Sequence, residues 1–129
     1  MENELALIIE DDAYLSEIYS AALSKAGFKI EVAREGQAAR TQLAALLPRL
    51  VILDLHLPRV SGKDLLKEIR ADQRLANTKI IVVTGDTQAA LTVQTEADLV
   101  LVKPVSYIQL RDLAVRFRSD GTLNPPKPI

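Results

Sequence analysis

The sequence reads Leu50-Val51-Ile52-Leu53-Asp54 near its middle, four consecutive aliphatic residues followed at once by a carboxylate. A strand that is apolar at consecutive positions buries both of its faces, which is typical of a parallel sheet covered by helices on both sides. Residues 5–9, Leu-Ala-Leu-Ile-Ile, have the same character. Two short buried helices are the alternative, but the shortness of the runs and their β-branched residues favour strands.

Three further aliphatic runs of strand length lie at residues 28–32, 79–84 and 99–102. Segments with helical period separate the runs. The clearest of them ends at Gly27 and has one apolar face, made of Leu15, Ile18, Tyr19, Ala22 and Leu23. Further helices are predicted at residues 36–47, 61–71 and 106–117, with a weaker, Thr- and Gln-rich one near residues 87–95. Because strand and helix alternate, the sequence predicts an α/β domain with a doubly wound, five-stranded parallel sheet.

The composition suits one domain. The chain has 129 residues, of which 48% are hydrophobic, and this is enough to bury one core without covalent staples. Since cysteine is missing and His56 is the single histidine, disulfides, thiolate metal sites and multi-histidine metal sites are excluded. We assign residues 1–118 to the domain. Residues 119–129 are rich in turn formers and prolines, so we expect a flexible tail or the start of a linker there.

Charge and hydropathy argue against two classes of partner. The 16 basic and 17 acidic residues leave a formal charge of −1, without the Lys/Arg cluster of a nucleic-acid binder. No apolar run approaches the roughly 18 residues needed to span a membrane. The start of the chain, Met1-Glu2-Asn3-Glu4, is acidic where a signal peptide is basic. We therefore expect a cytoplasmic protein that contacts neither nucleic acid nor membrane directly.

Polar residues stand at the ends of four of the five predicted strands: Glu10 and Asp11, then Asp54, Thr84 and Lys103. Ligand crevices of open α/β sheets lie beyond the carboxyl ends of the strands, where these residues would meet. Converging carboxylates repel one another unless a hard dication lies between them, and Mg²⁺ prefers such oxygen ligands. A hydroxyl and an ammonium beside an acidic cage suit a phosphoryl group, with Asp54 as the nucleophilic acceptor.

Each of these residues has a simpler explanation when it is taken alone. Asp12 precedes a helix and is the expected N-cap. Asp54 and Lys103 could be solvated strand ends, and Thr84 could be a β-former. It is the combination of Glu-Asp, Asp, Thr and Lys at four strand ends that favours a functional site.

Four motifs contain these residues: residues 8–12 (Ile-Ile-Glu-Asp-Asp), residues 54–62 (Asp-Leu-His-Leu-Pro-Arg-Val-Ser-Gly), residues 82–85 (Val-Val-Thr-Gly) and residues 102–104 (Val-Lys-Pro). Together they resemble the receiver domains of two-component response regulators, the CheY-like superfamily, over residues 5–117. The resemblance implies a flavodoxin-like strand order of 2-1-3-4-5 and a cis Lys103-Pro104 peptide, which proline makes accessible. It also implies structural roles for Pro58, Gly62 and Pro104.

The same resemblance implies a role for each site residue. Asp54 would accept the phosphoryl group, and Thr84 and Lys103 would bind its oxygens. The implied magnesium ligands are Asp11, Asp54 and the backbone carbonyl of His56, with Glu10 acting through water. The implied partners are a sensor histidine kinase or phosphotransfer protein and a downstream protein target. A homodimer through the fourth helix, fifth strand and fifth helix is a further option, and slow autodephosphorylation would be the only catalysis.

The sequence departs from the family pattern in three places, all of them in the part of the domain that would transmit phosphorylation to a partner. Val100 stands at the switch position, where an aromatic residue is usual, and Val105 replaces the usual aromatic residue after Lys-Pro. The segment from Thr84 to Lys103 is shorter than is usual, so we expect a short fourth helix. The alternative to a phosphorylated receiver is therefore an interaction module that keeps the fold and signals without phosphate.

His56 lies two residues beyond Asp54, and Asp86 lies two residues beyond Thr84. In the family that the sequence resembles, the position of His56 overlooks the phosphoryl group. We expect the two side chains to be neighbours and to modulate hydrolysis of the acyl phosphate. The alternative is that His56 is a solvated loop residue.

Overall fold

The fold is taken from a computed structural model, which describes residues 4–118. The strands are β1 (Leu5–Ile9), β2 (Lys29–Ala33), β3 (Leu50–Asp54), β4 (Lys79–Thr84) and β5 (Leu99–Val102). The helices are α1 (Ala13–Lys25), α2 (Gly36–Ala45), α3 (Gly62–Ala71), α4 (Thr87–Thr92) and α5 (Tyr107–Val115), and a 3-10 turn (Gln73–Leu75) follows α3. The tail predicted at residues 119–129 lies outside the described residues.

All strand pairs are parallel, and the order is β2-β1-β3-β4-β5, so the predicted architecture is confirmed. Inward-facing residues alternate between the two faces of the sheet. On one face, Leu7, Val51 and Val82 belong to a core that α2, α3 and α4 cover. On the other face, Ile8, Ile52 and Val83 belong to a core that α1 and α5 cover. Both faces of the central strands are therefore buried, as their consecutive apolar residues predicted.

Several predicted boundaries were wrong by one to three residues at an end. β2 begins at Lys29 and not at residue 28, because the amide of Phe28 donates to the Leu23 carbonyl (3.0 Å) and still closes α1. β3 extends to Asp54, which pairs with Val83. Ser61 is not the first helical residue but the N-cap of α3, and its hydroxyl accepts from the Asp64 amide.

The C-terminal ends of three helices also come earlier than predicted. α2 stops at Ala45, since the residue before Pro48 is disfavoured in helical conformation and Leu46 is already extended. α4 stops at Thr92, because the amides of Glu96 and Ala97 turn back to the Val93 carbonyl. α4 is thus short, as expected. α5 spans Tyr107–Val115, with Ser106 as its N-cap.

Two predicted local features position the site. The Lys103-Pro104 peptide is cis, as predicted. The amide of Gly62 donates to the Leu55 carbonyl (3.0 Å), and a Cβ at this position would collide with the backbone of Asp54 and Leu55. Only glycine therefore permits α3 to begin this close to the end of β3.

None of the helices within residues 4–118 has the length and apolar character that crossing a membrane requires.

Candidate functional site

The carboxyl edge of the sheet brings together a buried pair of carboxylates. Glu10 follows β1 and is 0% exposed, and Asp54 ends β3 and is 2% exposed. The Glu10 Oε2 accepts from the Asp12 amide (3.2 Å), and the Asp54 Oδ1 accepts from the His56 amide (2.9 Å). Each carboxylate therefore has one oxygen held by the loop that follows its strand and one oxygen directed elsewhere.

Lys103 faces the two remaining oxygens. Its Nζ lies 3.3 Å from the Glu10 Oε1 and 3.3 Å from the Asp54 Oδ2. The position of Lys103 is fixed by the sheet, because its amide donates to the Thr84 carbonyl (2.8 Å) directly beyond the last residues of β4 and β5. The Lys103 ammonium thus contacts both buried carboxylates.

Asp11 completes an acidic cluster with this pair. Ligand oxygens of Glu10, Asp11 and Asp54 all lie within 4.8 Å of one another, and Asp11 is exposed to solvent. Three carboxylates carry more negative charge than Lys103 neutralises, and every donor atom in the set is an oxygen. This is the chemistry that suits a hard divalent cation, so the residues fit the metal site expected from the sequence.

The protonation behaviour of Glu10 has a physical cause in this crowding. Burial raises the pKa of Glu10 to about 7, and the hydrogen bond and the charge of Asp54 act in the same direction. The Asp12 amide and Lys103 oppose that rise only in part. For Lys103, burial alone would lower the pKa, but the carboxylates of Asp54 and Glu10 outweigh burial and the pKa is raised. The ammonium is therefore fully charged at neutral pH.

The remaining predicted residues lie around this centre. Thr84 is fully buried at the end of β4, and its Oγ1 accepts from the Asp86 amide (3.1 Å). The His56 Nε2 lies 4.0 Å from the Asp86 Oδ2, and both side chains are about half exposed, at 59% and 46%. Val100 is partly buried and packs against the core under α2, α3 and α4.

Two features were missed at the sequence level. Asp86 is also the N-cap of α4, because its Oδ1 accepts from the amides of Gln88 (2.9 Å) and Ala89 (3.1 Å). An aspartate directly before Thr-Gln-Ala-Ala could have signalled this role. Tyr19 is buried with a hydroxyl that finds no partner among residues 4–118, which helical periodicity alone could not reveal. Asp12 caps α1, as predicted, through the Leu15 amide (3.0 Å).

The sequence profile of the response regulator receiver domain matches residues 6–115. The chain belongs to this family. The chain is 31% identical over 122 residues to the DNA-binding response regulator MtrA of Mycolicibacterium paratuberculosis, an alignment that covers 95% of this chain and 53% of MtrA. It is 34% identical over 101 residues to the DNA-binding dual master transcriptional regulator RpaA of Synechocystis, covering 76% of this chain and 42% of RpaA.

The fold has close structural relatives as well. A CheY-like response regulator receiver domain from Methylobacillus flagellatus superposes with a TM-score of 0.81 at 25% identity, covering 91% of this chain and 100% of the other. The chain spans about half the length of the two curated relatives described above. The similarity therefore concerns their receiver portions.

The crowded carboxylates predict a pH-dependent stability of the metal-free protein. Because the pKa of Glu10 is about 7 in the folded chain and 4.5 in the reference state, its favourable contribution is complete below pH 4.5 and is lost as pH rises through 7. Glu10→Gln resembles the protonated form at every pH. In EDTA, its advantage in unfolding free energy over the wild type should be small near pH 4.5, grow up to pH 7 and then level off. Urea unfolding at stepped pH measures this.

Glu17→Gln is the matched control, since Glu17 lies on the exposed side of α1 and loses the same charge. Its stability difference from the wild type should stay flat over the same range. Equal pH profiles for the two variants would contradict the assignment of the pH-dependent stability to Glu10.

Proposed function

We propose that this receiver domain accepts a phosphoryl group on Asp54 from a sensor histidine kinase or a phosphotransfer protein, with Mg²⁺ bound, and thereby alters a surface for a protein partner. The observation that carries the proposal is the position of the Asp54 Oδ2, which faces Lys103 at 3.3 Å while the Oδ1 is held by the His56 amide. A buried carboxylate with one anchored oxygen and one oxygen next to a fixed cation is oriented for attack.

In the proposed step, the Asp54 Oδ2 attacks phosphorus and the bond from phosphorus to the donor imidazole nitrogen breaks, leaving the electron pair on that nitrogen, which takes a proton from solvent. Lys103 and the Thr84 hydroxyl would bind the phosphoryl oxygens. Mg²⁺, when held by Asp11, Asp54 and the His56 carbonyl with Glu10 through water, supplies charge neutralisation of the transferring group. Slow hydrolysis reverses the modification when water attacks phosphorus and the bond to Asp54 breaks.

The cellular setting follows from the donor. A histidine kinase is phosphorylated from ATP, so we place the domain in the cytoplasm. The output of MtrA and RpaA includes DNA binding, but the acidic balance of this chain, with 17 acidic and 16 basic residues, supports a protein partner for the receiver itself. Gel-shift titration of this chain with mixed-sequence duplex DNA tests that choice, and binding at physiological salt would overturn it.

Asp54→Asn should abolish phosphorylation, because an amide is not a nucleophile for phosphorus. Intact-mass spectrometry after incubation with acetyl phosphate and Mg²⁺ should show one added phosphoryl group on the wild type and none on the variant. Asp64→Asn, the same change at an exposed position of α3, should be labelled like the wild type. Labelling that survives Asp54→Asn, or that proceeds equally in EDTA, would falsify the assignment.

A second function is favoured by Val100 and Val105, which replace two residues that are usually aromatic in this family. It is an interaction module that signals without phosphate. The same mass-spectrometry experiment separates the two functions, since a module of this kind would remain unlabelled with any donor while still binding its partner.

We further propose that His56 and Asp86 slow hydrolysis by covering the route of the attacking water. The side chains are neighbours at 4.0 Å, on the loops that follow β3 and β4. His56→Ala should speed loss of the phosphoryl group about two- to fivefold, a size that fits a partly exposed pair. Asp86→Asn keeps an N-cap for α4 and should have a similar effect. If the two changes act through one pair, the double variant should be no faster than either single variant.

The partner surface proposed here consists of α4, β5 and α5. Among residues 4–118, β5 pairs with β4 alone and forms one edge of the sheet, and Leu91, Val102 and Ile108 are large apolar side chains exposed on the three elements. We propose that a second copy of the domain covers them when Asp54 is phosphorylated.

Ile108→Lys should reduce the dimer fraction that sedimentation velocity detects with a beryllofluoride mimic of the phosphoryl group. Leu47→Lys is the control, since Leu47 is similarly exposed but lies in the loop between α2 and β3, at the amino end of the central strand. Dimerisation that is unaffected by Ile108→Lys, or equally weakened by Leu47→Lys, would contradict this surface.

A further inference from the structure

Tyr19 is a buried polar residue that the proposed chemistry does not yet use. Its side chain is 1% exposed, and its hydroxyl has no hydrogen-bond partner among residues 4–118. A buried hydroxyl without a partner destabilises a fold, and an aliphatic residue at this place in α1 would avoid that cost. This cost suggests that the hydroxyl has a hydrogen-bond partner in another state of the molecule.

The direction of α1 carries this hydroxyl toward the acidic cluster. The helix begins after Asp12, beside Glu10 and Asp11, and runs away from the carboxyl edge of the sheet. Long side chains in a helix point back toward its N-terminus, so the ring of Tyr19 extends from below toward the site. The residue lies in the core between the sheet and helices α1 and α5, together with residues of β1, which Glu10 follows, and of β3, which ends at Asp54.

The electrostatic environment agrees with this placement. Burial raises the pKa of Tyr19 to about 12, while the positive charge of Lys103 opposes the rise and the carboxylates of Glu10 and Asp54 add to it. All three groups thus lie within electrostatic reach of the hydroxyl. With this pKa the hydroxyl stays protonated at neutral pH, and its oxygen keeps lone pairs that can accept a hydrogen bond.

Lys103 is the group whose partners must change during phosphorylation. Its Nζ now faces the Glu10 Oε1 and the Asp54 Oδ2, and an ammonium has three N–H donors, one more than these two oxygens accept. Once the Asp54 Oδ2 is bonded to phosphorus, it carries less negative charge and is a weaker partner for the Lys103 Nζ. The ammonium then needs an acceptor behind it to stay aimed at the phosphoryl oxygens.

We propose that Tyr19 is a positioning residue for Lys103, whose Nζ donates to the Tyr19 hydroxyl when the site is phosphorylated. This inference rests on the proposed function. It assigns the hydroxyl a partner in the phosphorylated state and leaves it unpartnered in the state described here.

Tyr19→Phe removes the hydroxyl and keeps the ring. At saturating acetyl phosphate and Mg²⁺, the rate constant for phosphorylation should fall roughly tenfold, the effect of losing one charge-assisted hydrogen bond. The donor concentration at half-maximal rate should stay unchanged, because Tyr19 does not touch the donor. Tyr107→Phe on α5 is the control, since Tyr107 packs against the same core and should leave the rate unchanged.

Stability separates this role from a structural one. In the unphosphorylated protein, Tyr19→Phe deletes an unpaired buried hydroxyl, so its urea midpoint should equal or exceed that of the wild type. A variant that is more stable and yet slower fits a positioning residue. A variant with a lowered midpoint and a rate reduced only in proportion to its unfolded fraction would overturn the proposal.

A spectroscopic measurement reports on the hydroxyl itself. The chain has three tyrosines and no tryptophan, so labelling with tyrosine ¹³Cζ gives three resonances that Tyr14→Phe and Tyr107→Phe assign. Addition of beryllofluoride and Mg²⁺ should shift the Tyr19 resonance, and Lys103→Met should abolish that shift. An unshifted Tyr19 resonance, or a shift that persists in Lys103→Met, would overturn the proposal.

The outcomes remain distinct from those of the proposed function. If the wild type is not phosphorylated at all, the proposed function fails and this inference fails with it. If the wild type is phosphorylated and Tyr19→Phe matches it in rate, the inference alone fails.

Discussion

The sharing of one ammonium between two buried carboxylates is the interaction on which the rest of this structure depends. Glu10 and Asp54 are almost inaccessible to solvent, and Lys103 lies 3.3 Å from each. Two carboxylates this close together and this well shielded from solvent repel each other. The fold holds them there only if the surrounding scaffold is rigid and the charge is partly neutralised. The parallel sheet supplies that rigidity, because the central strands are buried on both faces and end at one edge. One consequence of this arrangement is that burial and the neighbouring Asp54 raise the pKa of Glu10 to about 7.

The two faces of the sheet differ in what they place beneath the site. Under α4 the neighbouring side chains are aliphatic, with Val100 and Ala89 packed against the core. Neither has a ring that could swing between two positions. Under α1 the core contains Tyr19, a large side chain with a polar atom at its tip. If Lys103 moves, the α1 side of the sheet offers a hydroxyl that can form a hydrogen bond with it. The aliphatic side chains of Val100 and Ala89 on the α4 side offer none.

Much of the fold and of the site could be predicted from the sequence, because both are encoded locally. Consecutive apolar residues such as those of β3 predict buried parallel strands, and the residues that follow them predict which side chains meet at the carboxyl edge of the sheet. Helix ends were less accurate, since Pro48 and the turn at Val93 act over a few residues that periodicity averages out. The double role of Asp86, as N-cap and as neighbour of His56, needs the distance between two loops. The unpartnered hydroxyl of Tyr19 was invisible because a helical pattern counts tyrosine simply as apolar.

The same crowding bears on how a dication would interact with this site. A pocket of balanced charges would gain little from an added cation, since the cation would have to displace favourable pairs. Here the carboxylates of Glu10, Asp11 and Asp54 exceed the single neighbouring ammonium, so a dication relieves repulsion already present in the fold. Metal binding would add positive charge beside these carboxylates and leave Lys103 free to meet an incoming anion. The excess of negative charge at the strand ends thus favours binding of a cation before that of a phosphoryl group. The proposed chemistry uses the two in the same order, because Mg²⁺ is bound when Asp54 is phosphorylated.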